Sequence, residues 1–284
     1  MNVRTTDRAL TSSPRDLART AAPLHRHRHL HPPVQAVILA AGMGTRLGRS
    51  TPKPLTPLRD GRTIQRRQLD ALRDAFGEDT DITVVVGFSS ELLMAASPDV
   101  RFAYNPHFAT TNTSKSLWRG LSNSRDGGVL WMNGDVVFDT AVLEHVMGHV
   151  RADESFICVD TATVADEEIK YTLDADGCIA ELSKTVVGGL GEAVGINYVS
   201  AADKPVLLEH LRRCGDQDYF ERGIETAIAE DGLRVRPVDI SEWTAVEVDF
   251  ECDLERANSL FWGPAVLGPM VEGLADGVLA AEVG

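Results

Sequence analysis

The sequence predicts an α/β fold, a single doubly wound domain with a mostly parallel mixed sheet and an inserted hairpin. Residues 34–40 form a nearly continuous apolar run, which is typical of a strand in a parallel sheet covered on both faces. Beyond this run, short apolar segments alternate with segments of helical periodicity. An Asp-Gly pair at Asp176 and Gly177, between two further apolar segments, is a hairpin signal.

In the first half of the chain, the predicted strands and helices alternate. Residues 63–76 carry an apolar stripe at helical spacing, with Ile64, Leu69, Leu72 and Phe76 on one face. We expect strands at 34–40, 82–87, 100–104 and 129–132, and helices at 63–76, 91–96 and in the second part of 105–122. In such folds ligands bind at the carboxyl ends of the strands.

The second half mixes hairpin and helix signals. We expect strands at 156–160, 169–173, 178–185, 194–199, 233–238 and 245–250, and helices at 204–213, 219–230 and 252–261. Residues 169–173 and 178–185 are the two arms of the predicted hairpin. No internal repeat or long linker separates the halves, so one domain is expected.

Composition sets the limits of this domain. The chain has 284 residues, of which 43% are hydrophobic, enough for a sizeable core. Residues 1–33 contain six arginines without apolar periodicity and predict a disordered basic leader. Their four histidines, at alternate positions from 25 to 31, could bind a metal but are more typical of a tag or a solvated tail. Small residues and glycine follow residue 262, so the domain is expected at 34–262 and a tail at 263–284.

Net charge and cysteine spacing restrict the kinds of partner and the cellular compartment that the sequence predicts. A net charge of −14 argues against sequence-independent binding of nucleic acid. No apolar run approaches the roughly 18 residues of a membrane span, so we expect no membrane partner. Four scattered cysteines without a signal peptide predict free thiols and a cytoplasmic protein. The sequence leaves open whether the chain forms a homodimer.

A glycine-bearing loop follows the first strand and carries Gly42, Gly44, Arg46 and then Lys53. Glycines allow the backbone to approach a ligand, and free N–H groups with added basic residues suit a polyanion such as a nucleoside triphosphate. The P-loop pattern is absent, and the glycines at 42, 44 and 48 miss the dinucleotide fingerprint by one place. The glycines alone are equally compatible with a tight turn beside a surface arginine.

The longer string LAAGMGTRL at 39–47, followed by TPKPL at 51–55, resembles the signature of the nucleotidyltransferase superfamily. Its members join a nucleoside triphosphate to a phosphorylated small molecule and release pyrophosphate. The resemblance implies a Rossmann-like fold, a triphosphate held by the loop, and Arg46 and Lys53 as catalytic contacts to the phosphates. The nucleotide-binding residues that it implies in the loop are Leu39, Ala40, Ala41, Gly42, Met43, Gly44 and Thr45.

Two acidic residues are candidates for a Mg²⁺ site. Asp135 follows the strand at 129–132, and a carboxylate there can ligate Mg²⁺ without disturbing the sheet. The alternative is a turn or cap residue, but Asp139 is expected to cap the following helix, which leaves Asp135 available. The pattern Trp243, Glu247, Asp249, then Asp-Leu and Ala, resembles the phosphocholine and phosphonate cytidylyltransferases, and by that match Asp249 is the second ligand. Asp253 is expected to cap the last helix.

The same subfamily resemblance extends to both substrates. Asn105, Asn112 and Ser116 match its nucleotide-binding pattern, although on their own they read as ordinary capping residues. In the hairpin half, four residues resemble the acceptor site: Lys170, Lys184, Glu192 and Tyr219. Lys184 would face the incoming phosphonate or phosphate and is also taken as catalytic.

The expected function is therefore transfer of CMP from CTP to a small phosphonate or phosphomonoester of the phosphocholine type, with Mg²⁺ and release of pyrophosphate. Two alternatives stand beside it. One is a sugar-1-phosphate nucleotidyltransferase that uses UTP or dTTP. The other, from a different class, is a nucleotide-binding regulatory module without catalysis, against which the joint presence of Arg46, Lys53, Asp135 and Asp249 speaks.

Overall fold

The computed structural model describes residues 32–49, 51–162 and 168–262. Two short 3-10 helices, Thr45–Leu47 and Lys53–Leu55, lie between the first strand and the first α-helix. The strands and α-helices follow in the order β1 (Gln35–Ala40), α1 (Ile64–Phe76), β2 (Asp81–Val86), α2 (Ser90–Ala96), β3 (Arg101–Tyr104), α3 (Thr113–Ser122), β4 (Val129–Asn133), β5 (Val136–Phe138), α4 (Ala141–Ala152), β6 (Phe156–Asp160), β7 (Lys170–Leu173), β8 (Ile179–Ser183), β9 (Glu192–Val199), α5 (Lys204–Arg213), α6 (Phe220–Asp231), β10 (Arg236–Asp239), β11 (Ala245–Glu247) and α7 (Glu251–Trp262).

Within the described residues, nine strands form one mixed sheet in the order β10-β6-β9-β4-β1-β2-β3, with the hairpin β7-β8 attached to β9 through β7. Strand β1 pairs in parallel with β2 and β4, and β2 pairs in parallel with β3. Strand β9 runs antiparallel to both β4 and β6, which makes the sheet mixed. A separate small sheet pairs β5 with β11 in antiparallel fashion. The predicted α/β fold with a mixed sheet and an inserted hairpin is confirmed; among the described strands of this sheet, four pairings are parallel and four are antiparallel.

Strand β1 lies at the centre of this architecture, and all six of its residues are buried. Its apolar side chains alternate between two cores because consecutive strand residues face opposite sides of the sheet. In register, Ala40 lies opposite Val86 of β2 and Leu39 lies opposite Asn133 of β4. The carboxyl ends of three parallel strands therefore meet at one edge, where the loops after β1 and β4 leave together.

The helices cover both faces of the sheet. Apolar residues of α1, α2 and α4 pack on one face, and those of α3, α5 and α6 pack on the other. A third cluster joins β5, β11 and α7 to Leu47, which lies in the loop after β1. This third cluster fixes the last helix beside the loop, although more than 200 residues separate them along the chain.

Helix α1 also braces the turn after β4. The helix begins where Thr63 caps it, with its side-chain oxygen accepting the N–H of Arg66 at 3.1 Å. One turn further, Gln68 is almost fully buried and its amide donates to the carbonyls of Asn133 and Val136, at 2.8 and 2.9 Å. These two hydrogen bonds hold the turn between β4 and β5 against α1.

The structure corrects three strand predictions. Strand β5 was not expected, because three residues carry no readable period and their partner β11 is about 110 positions away. The strand expected at 245–250 ends at Glu247, so Asp249 lies in the turn before α7 rather than on a strand face. The strand expected at 233–238 begins only at Arg236.

The proposed limits of the domain remain a proposal. Apart from Pro32 and Pro33, the leader at 1–33 lies outside the described residues, and so does the whole tail at 263–284. Among the residues that are described, no helix is both long enough and apolar enough to cross a membrane.

Candidate active site

The glycine loop, residues 41–49, leaves β1 at the carboxyl edge of the sheet. Gly44 has φ of +58°, and a Cβ placed on it would lie 3.0 Å from Cβ of Lys53. Both the left-handed backbone and the close approach favour glycine. Met43 is 43% exposed and open space surrounds the position of a Cβ on Gly42. The loop therefore presents backbone to solvent at the edge where a ligand is expected.

The residues implied for nucleotide binding divide between strand and loop. Leu39 and Ala40 are buried strand residues, and the carbonyl of Leu39 accepts the N–H of Gly134 at 2.9 Å. Ala41 is also buried, and its carbonyl accepts the N–H of Phe88 at 3.2 Å. Thr45 begins the short 3-10 helix, but its side chain lies outside the described part. Leu39, Ala40 and Ala41 are thus buried residues that anchor the start of the loop.

Four charged side chains that the sequence singled out form one network. Nζ of Lys53 lies 2.9 Å from Oδ2 of Asp135 and 2.5 Å from Oδ1 of Asp249. The other oxygen of Asp249 accepts Nη1 of Arg46 at 2.7 Å. The Lys53 side chain is only 9% exposed, whereas that of Arg46 is 61% exposed. The network joins the glycine loop, the turn after β4 and the turn before α7.

The opposite charges of Lys53 and Asp249 stabilise each other's ionised form. Burial acts to lower the pKa of Lys53, but the charge of Asp135 and the hydrogen bonds to Asp249 and Asp135 outweigh it, and the pKa is raised. Burial acts to raise the pKa of Asp249, but the hydrogen bond and charge of Lys53, followed by Arg46, outweigh it and lower that pKa. Both groups are therefore ionised at neutral pH.

The turn before α7 is held by Asp253, which lies in the first turn of that helix. Its Oδ2 accepts the backbone N–H of Phe250 at 2.7 Å and that of Asp249 at 3.1 Å. This backward reach from the first turn is the arrangement of a capping box. The expected capping role of Asp253 thus takes this form, and it also positions the backbone of Asp249.

Three carboxylates converge where a divalent cation was expected. Single oxygens of Asp135, Glu247 and Asp249 lie within 4.8 Å of one another. Oδ1 of Asp135 is buried and has no hydrogen-bond partner among the described residues. Glu247 lies at the surface, and its pKa is raised to about 8, first by the charge of Asp135. An oxygen-only donor set with an unused buried oxygen fits Mg²⁺. Glu247 was not assigned to this site from the sequence, although its spacing of two from Asp249 was visible there.

The polar residues expected to read the base are already hydrogen-bonded within the protein. The buried Asn105 donates to Thr111 at 3.1 Å and to Ser116 at 3.2 Å. Asn112 caps α3, accepting the N–H of Thr113 at 2.8 Å, and donates to the carbonyl of Gln217 at 3.3 Å. These bonds organise the loop before α3, and the role of Asn105, Asn112 and Ser116 in nucleotide binding stays a prediction.

A cavity of about 350 Å³ lies beside this loop rather than at the charged network. Its lining includes Asn105, Lys115 and Arg212 but neither the glycine loop nor the three carboxylates. Nζ of Lys115 donates to the carbonyls of Leu211, Arg212 and Cys214 at the end of α5. Lys115 thereby has a structural partner, and the cavity is distinct from the carboxylate cluster.

The residues expected to bind the acceptor gather around the hairpin and the start of α6. Lys170 on β7 lies opposite Ser183 of β8 and Glu192 of β9 in the strand register. Lys184 follows β8, and its Nζ lies 5.2 Å from the ring centroid of Tyr219, which is 40% exposed. The charge of Asp249 and its hydrogen bond raise the pKa of Arg46, and Tyr219 and Glu247 contribute weakly.

The sheet topology and the charged edge define an α/β protein of the nucleotidyltransferase type. Residues 36–225 match the model of the MobA-like NTP transferase domain, and the chain belongs to this family. The match covers the glycine loop, Asp135, the hairpin and the start of α6. Asp249 lies beyond it, so the second carboxylate of the network comes from the segment that follows the matched region.

Two curated relatives carry names from one enzyme group. CMP-5'-(3-aminopropyl)phosphonate synthase of Streptomyces rubellomurinus is 29% identical over 266 residues, which are 86% of this chain and 41% of that protein. The chain thus spans about two fifths of that relative's length. 2-aminoethylphosphonate cytidylyltransferase of Lancefieldella rimae is 27% identical over 220 residues, 73% of this chain and 85% of that protein. The resemblance to this group is confirmed.

The fold recurs in solved structures. CTP:phosphocholine cytidylyltransferase from Streptococcus pneumoniae superposes with a TM-score of 0.66 at 18% identity, covering 81% of this chain and all of that one. At this level of identity the likeness establishes the fold and nothing further. The predicted nucleotidyltransferase-type fold is confirmed by it.

Proposed function

We propose that this protein transfers CMP from CTP to a small phosphonate or phosphomonoester and releases pyrophosphate. The observation that carries the proposal is the network in which Arg46 and Lys53, beside an exposed glycine loop, pair with Asp135 and Asp249. Such a site suits a triphosphate, because its two cations can neutralise phosphate charge. The names of the two phosphonate-related relatives support CTP as donor and a phosphonate as acceptor.

The reaction is an in-line displacement at phosphorus. An oxygen of the acceptor forms a bond to the α-phosphorus of CTP, while the bond from that phosphorus to the bridging oxygen of pyrophosphate breaks. Positioning and charge neutralisation supply the rate enhancement. Arg46 is the exposed cation of the network, so its guanidinium is accessible to the transferring phosphate and the departing pyrophosphate.

The carboxylates have a separate task. Asp135 and Asp249 would hold Mg²⁺, and Glu247 is close enough to contribute a further oxygen. When bound, the ion would neutralise charge on the phosphate oxygens. Lys53 holds the two aspartates at a fixed spacing and lowers the pKa of Asp249, and Gln68 braces the turn that carries Asp135. Their rigidity limits the reorganisation that the reaction requires.

The acceptor would approach from the hairpin side. Lys184 follows β8, and its Nζ lies 5.2 Å from the ring centroid of Tyr219. A phosphonate held by Lys184 would therefore lie beside the start of α6. Lys170 and Glu192, paired in the strand register behind Lys184, would support this position.

Release of pyrophosphate tests the proposal. The purified protein with Mg²⁺ would be offered CTP, UTP and dTTP, each with alkylphosphonates, phosphomonoesters and sugar 1-phosphates. We expect turnover with CTP and a phosphonate or phosphomonoester, and little with UTP, because a site that pairs with an exocyclic amine leaves polar groups unpaired on uracil. Preference for UTP or dTTP with a sugar 1-phosphate would contradict it. Binding of nucleotide without turnover of any pair would instead indicate a regulatory module.

A further inference from the structure

The cavity of about 350 Å³ lies between the loop before α3, the outer face of α3 and the end of α5. Its described lining contains three cationic side chains, Lys115, Arg119 and Arg212, and one carboxylate, that of Asp216. This local excess of positive charge contrasts with the net charge of −14 on the whole chain. No step of the proposed reaction uses the cavity, and its charge suits an anionic ligand.

The three cations of the cavity are engaged to different degrees. Nζ of Lys115 donates to three carbonyls at the end of α5, so this lysine contributes charge rather than a free donor. Arg212 uses Nε and Nη2 to pair with Glu209, and its side chain is 60% exposed, which leaves Nη1 accessible to an anion. The guanidinium of Arg119 lies 5.8 Å from the ring centroid of Trp118 and makes no ion pair within the described residues. Arg119 and Arg212 are therefore the groups that an anion would contact.

An aromatic surface and a hydroxyl group accompany these cations. Trp118, half-buried on α3, lines the cavity, and an indole beside an arginine binds a flat ring by stacking. The hydroxyl of Thr110, also in the lining, donates to the carbonyl of His107 at 3.3 Å, so its oxygen can accept a hydrogen bond from a ligand. A ring surface, an acceptor and two guanidinium groups match a base, a ribose and a phosphate. The volume lies at the small end of ligand sites, which suits a mononucleotide.

The cavity is separate from the candidate active site but borders the same supporting loop. Neither Asn112 nor Ser116 belongs to its lining, whereas Asn105 does. Asn105 is 1% exposed, and its amide donates to Thr111 at 3.1 Å and to Ser116 at 3.2 Å. A ligand in the cavity would therefore contact the loop that also carries residues predicted to bind the nucleotide.

Further hydrogen bonds tie this loop to the loop after α5, which forms the opposite wall of the cavity. The N–H of Asn112 donates to the carbonyl of Asp216 at 2.7 Å. The side-chain amide of Gln217 donates to the carbonyl of Thr110 at 2.8 Å. The two walls are thus joined directly, and a ligand held between them would stabilise both loops in the arrangement that the structure has.

We propose that this cavity is a second ligand site, which binds a nucleoside monophosphate and thereby favours binding of CTP at the active site. Arg119 and Arg212 would hold the phosphate, Trp118 would stack on the base, and Thr110 would accept a hydrogen bond from the ribose. The effect on CTP rests on the proposed function. It follows because the occupant orders the loop that carries Asn105 before CTP arrives, so that binding of CTP has less order to establish.

Titration calorimetry of the purified protein with AMP tests the site, because the active site is expected to select cytosine and AMP therefore reports on the cavity. Inorganic phosphate and adenosine are titrated separately, to divide the contribution of the anion from that of the ring. The variants are Arg119→Gln, Arg212→Gln and Trp118→Leu. The matched control is Arg213→Gln, next to Arg212 on α5, where the guanidinium pairs with Glu230 at 2.9 Å and lies outside the lining. Thermal unfolding of each variant checks that it is folded.

We expect the wild type to bind one AMP per chain, at least about tenfold more tightly than inorganic phosphate or adenosine, since each of these lacks one of the two main contacts. Arg119→Gln, Arg212→Gln and Trp118→Leu should each weaken AMP about tenfold, and Arg213→Gln should leave it unchanged. In initial-rate assays, AMP should lower the KM for CTP about fivefold in the wild type and have no effect in Arg119→Gln, whose rate without AMP should equal that of the wild type.

Unchanged binding of AMP in both Arg119→Gln and Arg212→Gln would overturn the site, and inorganic phosphate bound as tightly as AMP would overturn its ligand class. A KM for CTP that AMP does not lower, or raises equally in the wild type and Arg119→Gln, would overturn the regulatory role. If Trp118→Leu does not fold, the two arginine variants decide. No turnover with any pair of substrates would overturn the proposed function and the effect on CTP, while calorimetry would still decide the second site.

Discussion

The nucleotide side and the acceptor side of the site treat charge in opposite ways. On the nucleotide side, Arg46, Lys53, Asp135 and Asp249 satisfy one another in ion pairs of 2.5 to 2.9 Å. On the acceptor side, Glu221 is buried with an oxygen that has no hydrogen-bond partner in the part of the chain that the structure describes, and Lys184 lies over an aromatic ring. The first region is fixed by its own contacts, whereas the second leaves polar groups to be completed from outside. Pre-organisation suits the chemistry, and unpaired groups suit selection of a substrate.

The largest loss of activity is expected at the carboxylates of the nucleotide side. Asp135→Asn and Asp249→Asn each preserve shape but remove an anion from the predicted Mg²⁺ site, so kcat should fall by about 10³-fold. Rates of pyrophosphate release over a range of Mg²⁺ concentrations would measure this. Asp74→Asn, on the exposed side of α1, is the control and should behave as wild type. Wild-type rates and Mg²⁺ dependence in Asp249→Asn would mean that the metal site is wrongly assigned.

The next largest effect concerns Arg46, whose side chain is 61% exposed and available to a ligand. Because it should meet charge that develops in the transition state, Arg46→Met should lower kcat and kcat/KM together, by about 10² to 10³. Initial rates with each substrate varied in turn would show the pattern. The assignment fails if the variant only raises the KM for CTP and keeps kcat, which would make Arg46 a ground-state contact.

A smaller effect is expected at Lys184, which tests the acceptor side. Lys184→Met keeps the length of the side chain and loses its charge, so the KM for the acceptor should rise about tenfold with a smaller change in kcat. The KM for CTP should stay nearly the same, because Lys184 lies at the hairpin rather than in the glycine loop. A main defect in CTP binding would show that Lys184 belongs to the nucleotide side and not to the acceptor side.

The smallest effect is expected at Asp253, which supports the nucleotide side without touching a substrate. Asp253→Ala removes the acceptor for the N–H groups of Asp249 and Phe250, and it should cost about 1 kcal/mol of unfolding free energy with a modest loss of kcat. Urea denaturation would measure the stability. Asp253→Asn keeps an acceptor oxygen and should recover most of it; an equal loss in both variants would argue against the capping contact.

Local signals in the sequence carried much of the fold. The apolar run of β1 predicted a strand buried on both faces, and the Asp-Gly pair predicted the hairpin, because both signals depend on neighbours in the chain. Strand β5 could not be read, since three residues have no period and its partner β11 is remote. The end of β11 was predicted three residues too late. The N–H of Asp249 donates to Asp253, so Asp249 belongs to the turn that begins α7.

The candidate site divides in the same manner. The residue types in the glycine loop, after β4 and before α7 could be predicted without a structure, because motif spacing and a family resemblance are properties of the chain. The contacts of Arg46 with Asp249, across 203 positions, and of Lys53 with Asp135, across 82, arise from tertiary packing. The burial of Glu221, and the lack of a partner for its Oε2 among the described residues, likewise depend on how α6 packs against β8 and the central sheet. Pairing and desolvation arise from packing, and a local sequence pattern carries no record of either.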